Sequence, residues 1–429
     1  MGDVADTDVV VVGAGVAGLA AAGALREAGL SCIVLEATGR IGGRARTVDL
    51  AGAPLDLGAS WLHNAAHNAL VGVARAHGDV LVAADRARQR RRFIDGRPAT
   101  AAEVADFDAT WDAFTETAGA RAVAGPDVSV ADAIAPLRNR PWTATVEYWE
   151  ACLIAAADPR RFSVRDWHLN RLEGDNMEVQ GGIGAFIARR LGPPAGIVRR
   201  GTPATRVTWD RQVAVETPAG RIAARACVVT VSTGVLAAGT LRFSPALPQQ
   251  TRDAIADLPM GLLTKVAFPI VAPQHWAFPQ PTHLQRRVRD ALEPAMNFLC
   301  QPSGRPHVVG FVGGPGAWAL AHDGKDALAA FAREELRAMA GGDAMAALGE
   351  PVVADWAENP AFRGAYAYAT VGQAAARAVL AEPLGDGRLA FAGEATLTDG
   401  LAGTVGGAYL SGRAAARTVV DALTAAARA

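Results

Sequence analysis

The chain has 429 residues, half of them apolar and a fifth charged, so it can bury a large core and wholesale disorder is excluded. Its length allows two or three domains of ordinary size. Lys and Arg number 42 against 43 Asp and Glu, a balance that offers no field for polyanions and argues against a nucleic-acid or membrane-surface protein.

Residues 8–12 (DVVVV) form a β-branched run that reads as a buried strand. It feeds Gly13-Ala14-Gly15-Val16-Ala17-Gly18, then a helical pattern through Ala28 that Gly29 stops. Residues 31–35 (SCIVL) read as a second strand, ending at Glu36. A βαβ unit at the start points to an α/β fold with a parallel, doubly wound sheet. The apolar stretch 9–25 is no signal peptide, because Asp3, Asp6 and Asp8 stand where a positive flank belongs and three glycines interrupt it. A soluble cytoplasmic protein, monomer or homodimer, is expected.

From residue 79 to 190 the texture turns helical, with few clear strand runs. Strand signals return at 206–209, 212–217 and 227–231, and a mixed region follows from Leu262 to Trp356. Residues 388–429 again read as strand, Gly-rich turn and long helix. The order fits a cofactor domain in three segments (1–78, 196–258, 385–429). A mostly helical substrate insertion (79–195) and a sheet-bearing substrate region (259–384) interrupt it. Cys32, Cys152, Cys227 and Cys300 lie far apart and read as reduced, mostly buried thiols, with no metal-ligand spacing.

The fingerprint GAGVAG sits between strand and helix with Glu36 about 20 residues beyond, as dinucleotide binding requires. Gly13 permits the tight turn, Gly15 lets the backbone approach a pyrophosphate beside Ala17, and Gly18 allows close helix–strand packing. The helix N-terminus offers N–H groups and a positive dipole end to phosphates, and Glu36, followed by Ala37, would accept the ribose hydroxyls. This motif alone does not separate NAD from FAD.

Further glycine turns follow. Gly39-Arg40-Ile41-Gly42-Gly43-Arg44 carries a cation for a pyrophosphate, and Gly58-Ala59-Ser60-Trp61-Leu62-His63 comes next. Near the other end stand Phe391-Ala392-Gly393-Glu394-Ala395 and the run 403–412, GTVGGAYLSG. In this order the motifs resemble the flavin-containing amine oxidase family, from residue 8 to about 420. That family includes monoamine, polyamine and amino-acid oxidases and the lysine-specific histone demethylases. The resemblance implies a Rossmann-like FAD-binding domain with a discontinuous α+β substrate-binding domain. It also implies FAD as cofactor, with Glu394 on the ribityl chain, Thr404 and Val405 at the pyrimidine edge, and the backbone of Val207 against the adenine. A helix starting near Gly403 would aim its positive end at the flavin locus that becomes negative on reduction.

Lys265 lies in an otherwise apolar run, GLLTKVAFPI. It is either buried and functional or an edge-strand lysine that snorkels outward. The resemblance implies the first, a lysine holding a water against flavin N5. Trp356-Ala357-Glu358-Asn359-Pro360 with Gly364-Ala365-Tyr366-Ala367-Tyr368 resembles the family's element for one wall of the aromatic cage, filled here by Tyr366. Strand packing is the competing reading for Tyr366 and Tyr368. Ala365 stands where monoamine oxidases link flavin through cysteine, which implies non-covalent FAD, and Thr404 stands where they carry a second tyrosine. Both departures are closer to polyamine oxidases and the demethylases, and GASWLH, with His63 toward the substrate channel, resembles that of polyamine oxidases.

Weaker features remain. Arg86, Arg88, Arg90, Arg91 and Arg92 read as a solvated face. Glu173, Asp175 and Glu178 read as an exposed acidic helix end or as acceptors for a distal ammonium. Gly313-Gly314-Pro315-Gly316 is read as lacking a strand–helix setting, which leaves oxygen rather than NADP as electron acceptor. The expectation is an FAD-dependent oxidase of a small-molecule polyamine or related amine. It would pass hydride to N5 and reduce O2 to hydrogen peroxide, with Lys265, His63 and Tyr366 at the reacting centre. An amino-acid oxidase, a flavin desaturase and a non-catalytic flavin scaffold are the alternatives. A demethylase is disfavoured because the chain has no room for the long helical-hairpin insertion.

Overall fold

The computed structural model describes residues 5–84, 89–210, 212–278 and 280–428. Thr7–Val12 is the hub of an eight-stranded sheet, with Val9, Val10 and Val11 fully buried. Cys32–Leu35 and Gly220–Val229 flank it in parallel, Ile197–Arg199 adds beyond the former, and Leu389–Phe391 lies parallel against the end of the latter. Three remote stretches of sequence therefore meet in one sheet. The sheet is mixed rather than purely parallel. Arg206–Thr208, Val213–Thr217 and Gly220–Val229 alternate in direction, because the connections between them are too short for a crossover.

Helices cover both faces. Val16–Glu27, Ile183–Ala195 and Val405–Arg428 pack on one, Gln249–Asp257 and Ala376–Ala381 on the other. The first and last helices cross closely, since a Cβ on Gly412 would come within 2.1 Å of the Ala17 carbonyl oxygen. This contact ties the two chain ends into one unit.

A second sheet of seven strands is mainly antiparallel, in the order Val352–Val353, Leu263–Pro269, His307–Gly313, Asn297–Cys300, Thr282–Arg286, Gln89–Ile94, Arg97–Pro98. Gln89–Ile94 comes from the stretch read as helical and pairs in parallel with Thr282–Arg286. Its pattern hid it: Arg90 and Arg91 are exposed, and apolar residues appear only at Phe93 and Ile94. Arg91 and Arg92 lie over the rings of Phe278 and Phe107, so this part of the arginine run covers apolar surface as well as meeting water. Arg86 and Arg88 lie outside the described residues. The rest of 101–169 is helical around Phe114, Trp142 and Trp167.

The GGPG turn requires a correction. His307–Gly313 runs straight into the helix Gly314–His322, so the strand–helix setting exists. The turn is nevertheless filled by protein: a Cβ on Gly313 would sit 1.9 Å from the Cys152 carbonyl oxygen, and one on Gly316 2.8 Å from Pro294. All four cysteines are free and buried. No described helix is long and apolar enough to cross a membrane.

Candidate active site

A cavity of about 700 Å³ extends from the fingerprint turn to an aromatic chamber between the two sheets. At the fingerprint, Gly13 adopts φ +104°, which L side chains rarely take, and a Cβ on Gly18 would strike the Gly13 carbonyl oxygen at 1.9 Å. A Cβ on Gly15 would meet nothing within 4 Å, so the backbone there opens directly into the cavity. Glu36 is held in place by three donors: Ala14 N at 2.8 Å, Thr38 N at 2.8 Å and Thr38 Oγ1 at 2.7 Å.

Arg44 reaches from the GGR turn to the other chain end. Its Nη1 donates to Glu394 Oε1 at 2.9 Å and to the Ala365 carbonyl at 2.6 Å, and Glu394 also accepts the Ala367 N–H. Arg40 instead lies over the Phe362 ring. The C-terminal helix Val405–Arg428 begins at the cavity, and the Thr404 hydroxyl caps it by accepting from Gly407 N at 3.0 Å. Two helix N-termini thus face one cavity, each a site for negative charge.

The other end is aromatic, lined by Trp61, Phe162, Tyr366 and Tyr368. Lys265 sits on Leu263–Pro269, a strand paired on both sides, so the edge-strand reading does not apply. Lys265 is 4 % exposed, and its Nζ donates to Asp56 O at 3.0 Å, Gly58 O at 2.5 Å and Ser60 Oγ at 2.5 Å. All three partners are neutral, and burial lowers the ammonium's pKa from 10.5 to about 8. Phe311 and Trp61 stack at 5.8 Å, with their centroids 5.2 and 6.0 Å from Nζ.

Asp56 fixes this loop. Its carboxylate accepts from Thr47 Oγ1 and from the Ile183 and Gly184 N–H groups at the head of the helix Ile183–Ala195. His63 lines the cavity with Nδ1 2.8 Å from Asn176 Oδ1. Tyr366 donates its hydroxyl to the carbonyls of Leu153 (3.2 Å) and Ile154 (2.9 Å), and burial raises its pKa. Tyr368 packs edge-on to Phe162 while also reaching the cavity. Beneath this wall Asp166 and Arg377 form a buried bidentate ion pair at 2.7 and 2.8 Å.

Lys265, His63 and Tyr366 all reach this cavity, as do Gly13, Gly15, Ala17, Glu36, Ala37, Gly43, Arg44, the Gly58–Trp61 loop, Trp356, Gly393, Glu394, Gly403, Thr404 and Val405. Gly18 acts behind it, in helix–strand packing. Val207, whose backbone was expected against the adenine, is fully buried in the sheet, paired with Val215 and Phe243, and Pro203, Ala204 and Thr205 just before it line the cavity. The acidic run also differs from expectation. Glu173 is paired with Arg171 in a loop, and Glu178 is buried on the strand Met177–Val179, where it accepts from Ser303. Arg171 also lines the cavity. Sequence reading passed over Asp56, Glu150 and the Asp166–Arg377 pair. Glu150 carried a readable signal, an acid inside the apolar run YWEACLI.

A parallel βαβ unit with a glycine turn open to a long cavity, and a lysine buried among aromatics at the far end, define a dinucleotide-dependent oxidoreductase with an aromatic substrate chamber. The chain belongs to the family of flavin-containing amine oxidoreductases, whose model matches residues 16–139 and 138–420. Polyamine oxidase 4 of Oryza sativa subsp. japonica is 30% identical over 439 residues, covering 95% of this chain and 87% of that protein. Polyamine oxidase 2 of Arabidopsis thaliana is 29% identical with the same coverage. In fold, the chain is similar to the cyclohexylamine oxidase of Brevibacterium oxydans IH-35A, with TM-score 0.80 and 23% identity, covering 98% of this chain and all of that one. A putrescine oxidase bound to putrescine gives TM-score 0.78 at 21% identity, with coverages of 97% and 99%.

The protein is therefore a flavin-dependent amine oxidoreductase with FAD as cofactor. The residues present fit that group. The turn at Gly15 is open to the cavity, Glu36 waits at the end of the second strand, and two helix N-termini point at one elongated space. No cysteine lines the cavity among the described residues.

Proposed function

We propose that this chain oxidises a C–N bond of a di- or polyamine, or of an N-acylated or secondary relative, with O2 as electron acceptor and hydrogen peroxide as product. The observation that carries this reading is the buried Lys265 ammonium, held by neutral oxygens at the aromatic end of the cavity. When bound, FAD supplies the two-electron acceptor for the hydride and the site of reoxidation by oxygen. The chain's own residues do the rest. An alkylamine with a solution pKa near 10.4 must become neutral before its α C–H can leave as hydride, and a chamber lined by Trp61, Tyr366 and Tyr368 disfavours the charged form. With FAD bound at this end of the cavity, the Lys265 ammonium would stabilise negative charge that develops beside it. Thr404 and the helix it caps add a second positive end. The product imine hydrolyses to an aldehyde and an amine.

FAD held without a covalent bond is part of this proposal, supported by Ala365 on the cavity wall and the absence of a lining thiol. The four free buried cysteines favour a reducing compartment, the cytoplasm. One observation favours a second reading. Arg171 lines the chamber and its buried Nε has no partner among the described residues, a feature suited to a substrate carboxylate, as in an amino acid. Peroxide release measured over spermine, spermidine, N-acetylspermine, putrescine, benzylamine and L-amino acids tests both. Turnover of di- or polyamines supports the first reading, and turnover of L-amino acids alone replaces it with the second.

A further inference from the structure

Four carboxylates line the cavity among the described residues: Glu36, Asp166, Glu394 and Glu150. Three have strong partners. Glu36 takes three donors on the fingerprint side, Glu394 is paired with Arg44, and Asp166 with Arg377. Glu150 has no ion pair. It accepts one hydrogen bond, Trp167 Nε1 to Oε2 at 2.9 Å, and Oε1 is left for a ligand. Arg171 makes no ion pair with it: its Nη2 bonds Glu173 Oε1 at 2.5 Å, and its guanidinium lies 5.5 Å from the Trp167 ring centroid. Burial pushes Glu150 up to about 7, outweighing the Trp167 hydrogen bond and the nearby charge of Arg171, which pull the other way. A carboxylate kept desolvated in this way binds an arriving ammonium more strongly than an exposed one does.

Its position matters as much as its charge. Glu150 belongs to a π-helical turn, Tyr148–Ile154, an uncommon element that recurs at functional sites. The last carbonyls of that turn, Leu153 and Ile154, receive the Tyr366 hydroxyl. Glu150 therefore stands one helical turn, roughly 5 Å, along the wall from where Tyr366 meets it. A chain of roughly four methylenes, with C–C bonds of about 1.5 Å, covers such a step.

We propose that Glu150 determines specificity by receiving the second ammonium of a linear diamine or polyamine whose first amine lies beside Tyr366 and Lys265. The inference rests on the amine-oxidase reading above and deepens it. Glu150→Gln keeps the volume and the acceptor for Trp167 while removing the charge. Wild type and variant, both flavin-loaded, are compared on 1,4-diaminobutane and 1,5-diaminopentane against butylamine and pentylamine at one pH. We expect kcat/KM for the diamines to fall about 10- to 100-fold, chiefly through KM, with the monoamines changed less than about threefold. Glu150→Asp should recover part of the loss. Equal losses on both amine classes, or no loss on diamines, overturn the proposal.

Calorimetric binding of 1,4-diaminobutane to the reduced, anaerobic holoenzyme separates this inference from the catalytic reading. Tighter binding to wild type than to Glu150→Gln supports the inference even if neither amine is oxidised, and that outcome would defeat the oxidase reading alone. Equal binding by the two proteins overturns the inference whatever the activity.

Discussion

The two ends of the cavity are built on opposite electrostatic plans. At the fingerprint and GGR turns the charged side chains are already neutralised or held by several donors, as in Glu36 with its three and Glu394 with Arg44. At the aromatic end Lys265 bonds only neutral oxygens, and Glu150 takes a single indole N–H. Burying an uncompensated charge is costly, so a fold tolerates it where a ligand completes the arrangement. The contrast separates a cradle whose charges are paired from a chamber where Lys265 is held by neutral oxygens and Glu150 keeps one oxygen open.

The sharpest way to break this contrast is at the cradle. Gly18→Val would drive a side chain into the Gly13 carbonyl, already 1.9 Å from a bare Cβ. We expect the variant to purify without flavin or not to fold, read as the ratio of visible to ultraviolet absorbance. Next in size is the buried pair beneath the wall. Asp166→Ala leaves Arg377 without its counter-ion and should cost about 3–5 kcal/mol, measured by denaturant unfolding.

The chamber should respond to pH through Lys265. Lys265 titrates near 8 in the folded chain and from 10.5 as the ordinary value, so between these pH values the unfolded chain holds a proton that the folded one has released. Folding stability of the flavin-free wild type should therefore rise, relative to Lys265→Met, as pH goes from about 8 to 10.5. Unfolding midpoints of the two proteins at both limits check this, and a constant difference contradicts it. The smallest effect belongs to Thr404→Ala, which removes the cap of the C-terminal helix and should cost about 1 kcal/mol of stability.

Much of the cradle was legible in the sequence because its logic is local. A glycine at φ +104° or one packed on a carbonyl is required by the backbone itself, so GAGVAG keeps its meaning without tertiary context. Lys265 was visible for a related reason, one charge in a run of apolar residues. The failures are tertiary. Thr205 immediately precedes the short strand Arg206–Thr208 that holds Val207, and only the shape of the cavity decides which of them lines it. Gln89–Ile94 is a strand because Thr282–Arg286 offers it an edge, which no local pattern announces. GGPG has the strand and helix of a phosphate turn, but the Cys152 backbone fills the space. Glu150 had the same kind of signal as Lys265, though its meaning depends on Arg171 being engaged by Glu173.

The central claim is that the Lys265 ammonium, buried at the amine end, acts on the reduced cofactor rather than merely filling the core. Rapid mixing of reduced, flavin-loaded protein with oxygen, followed by the return of visible absorbance, tests it in wild type and Lys265→Met. The account expects reoxidation at least about 100-fold slower in the variant, with flavin content unchanged. Equal rates in two fully loaded proteins would contradict it.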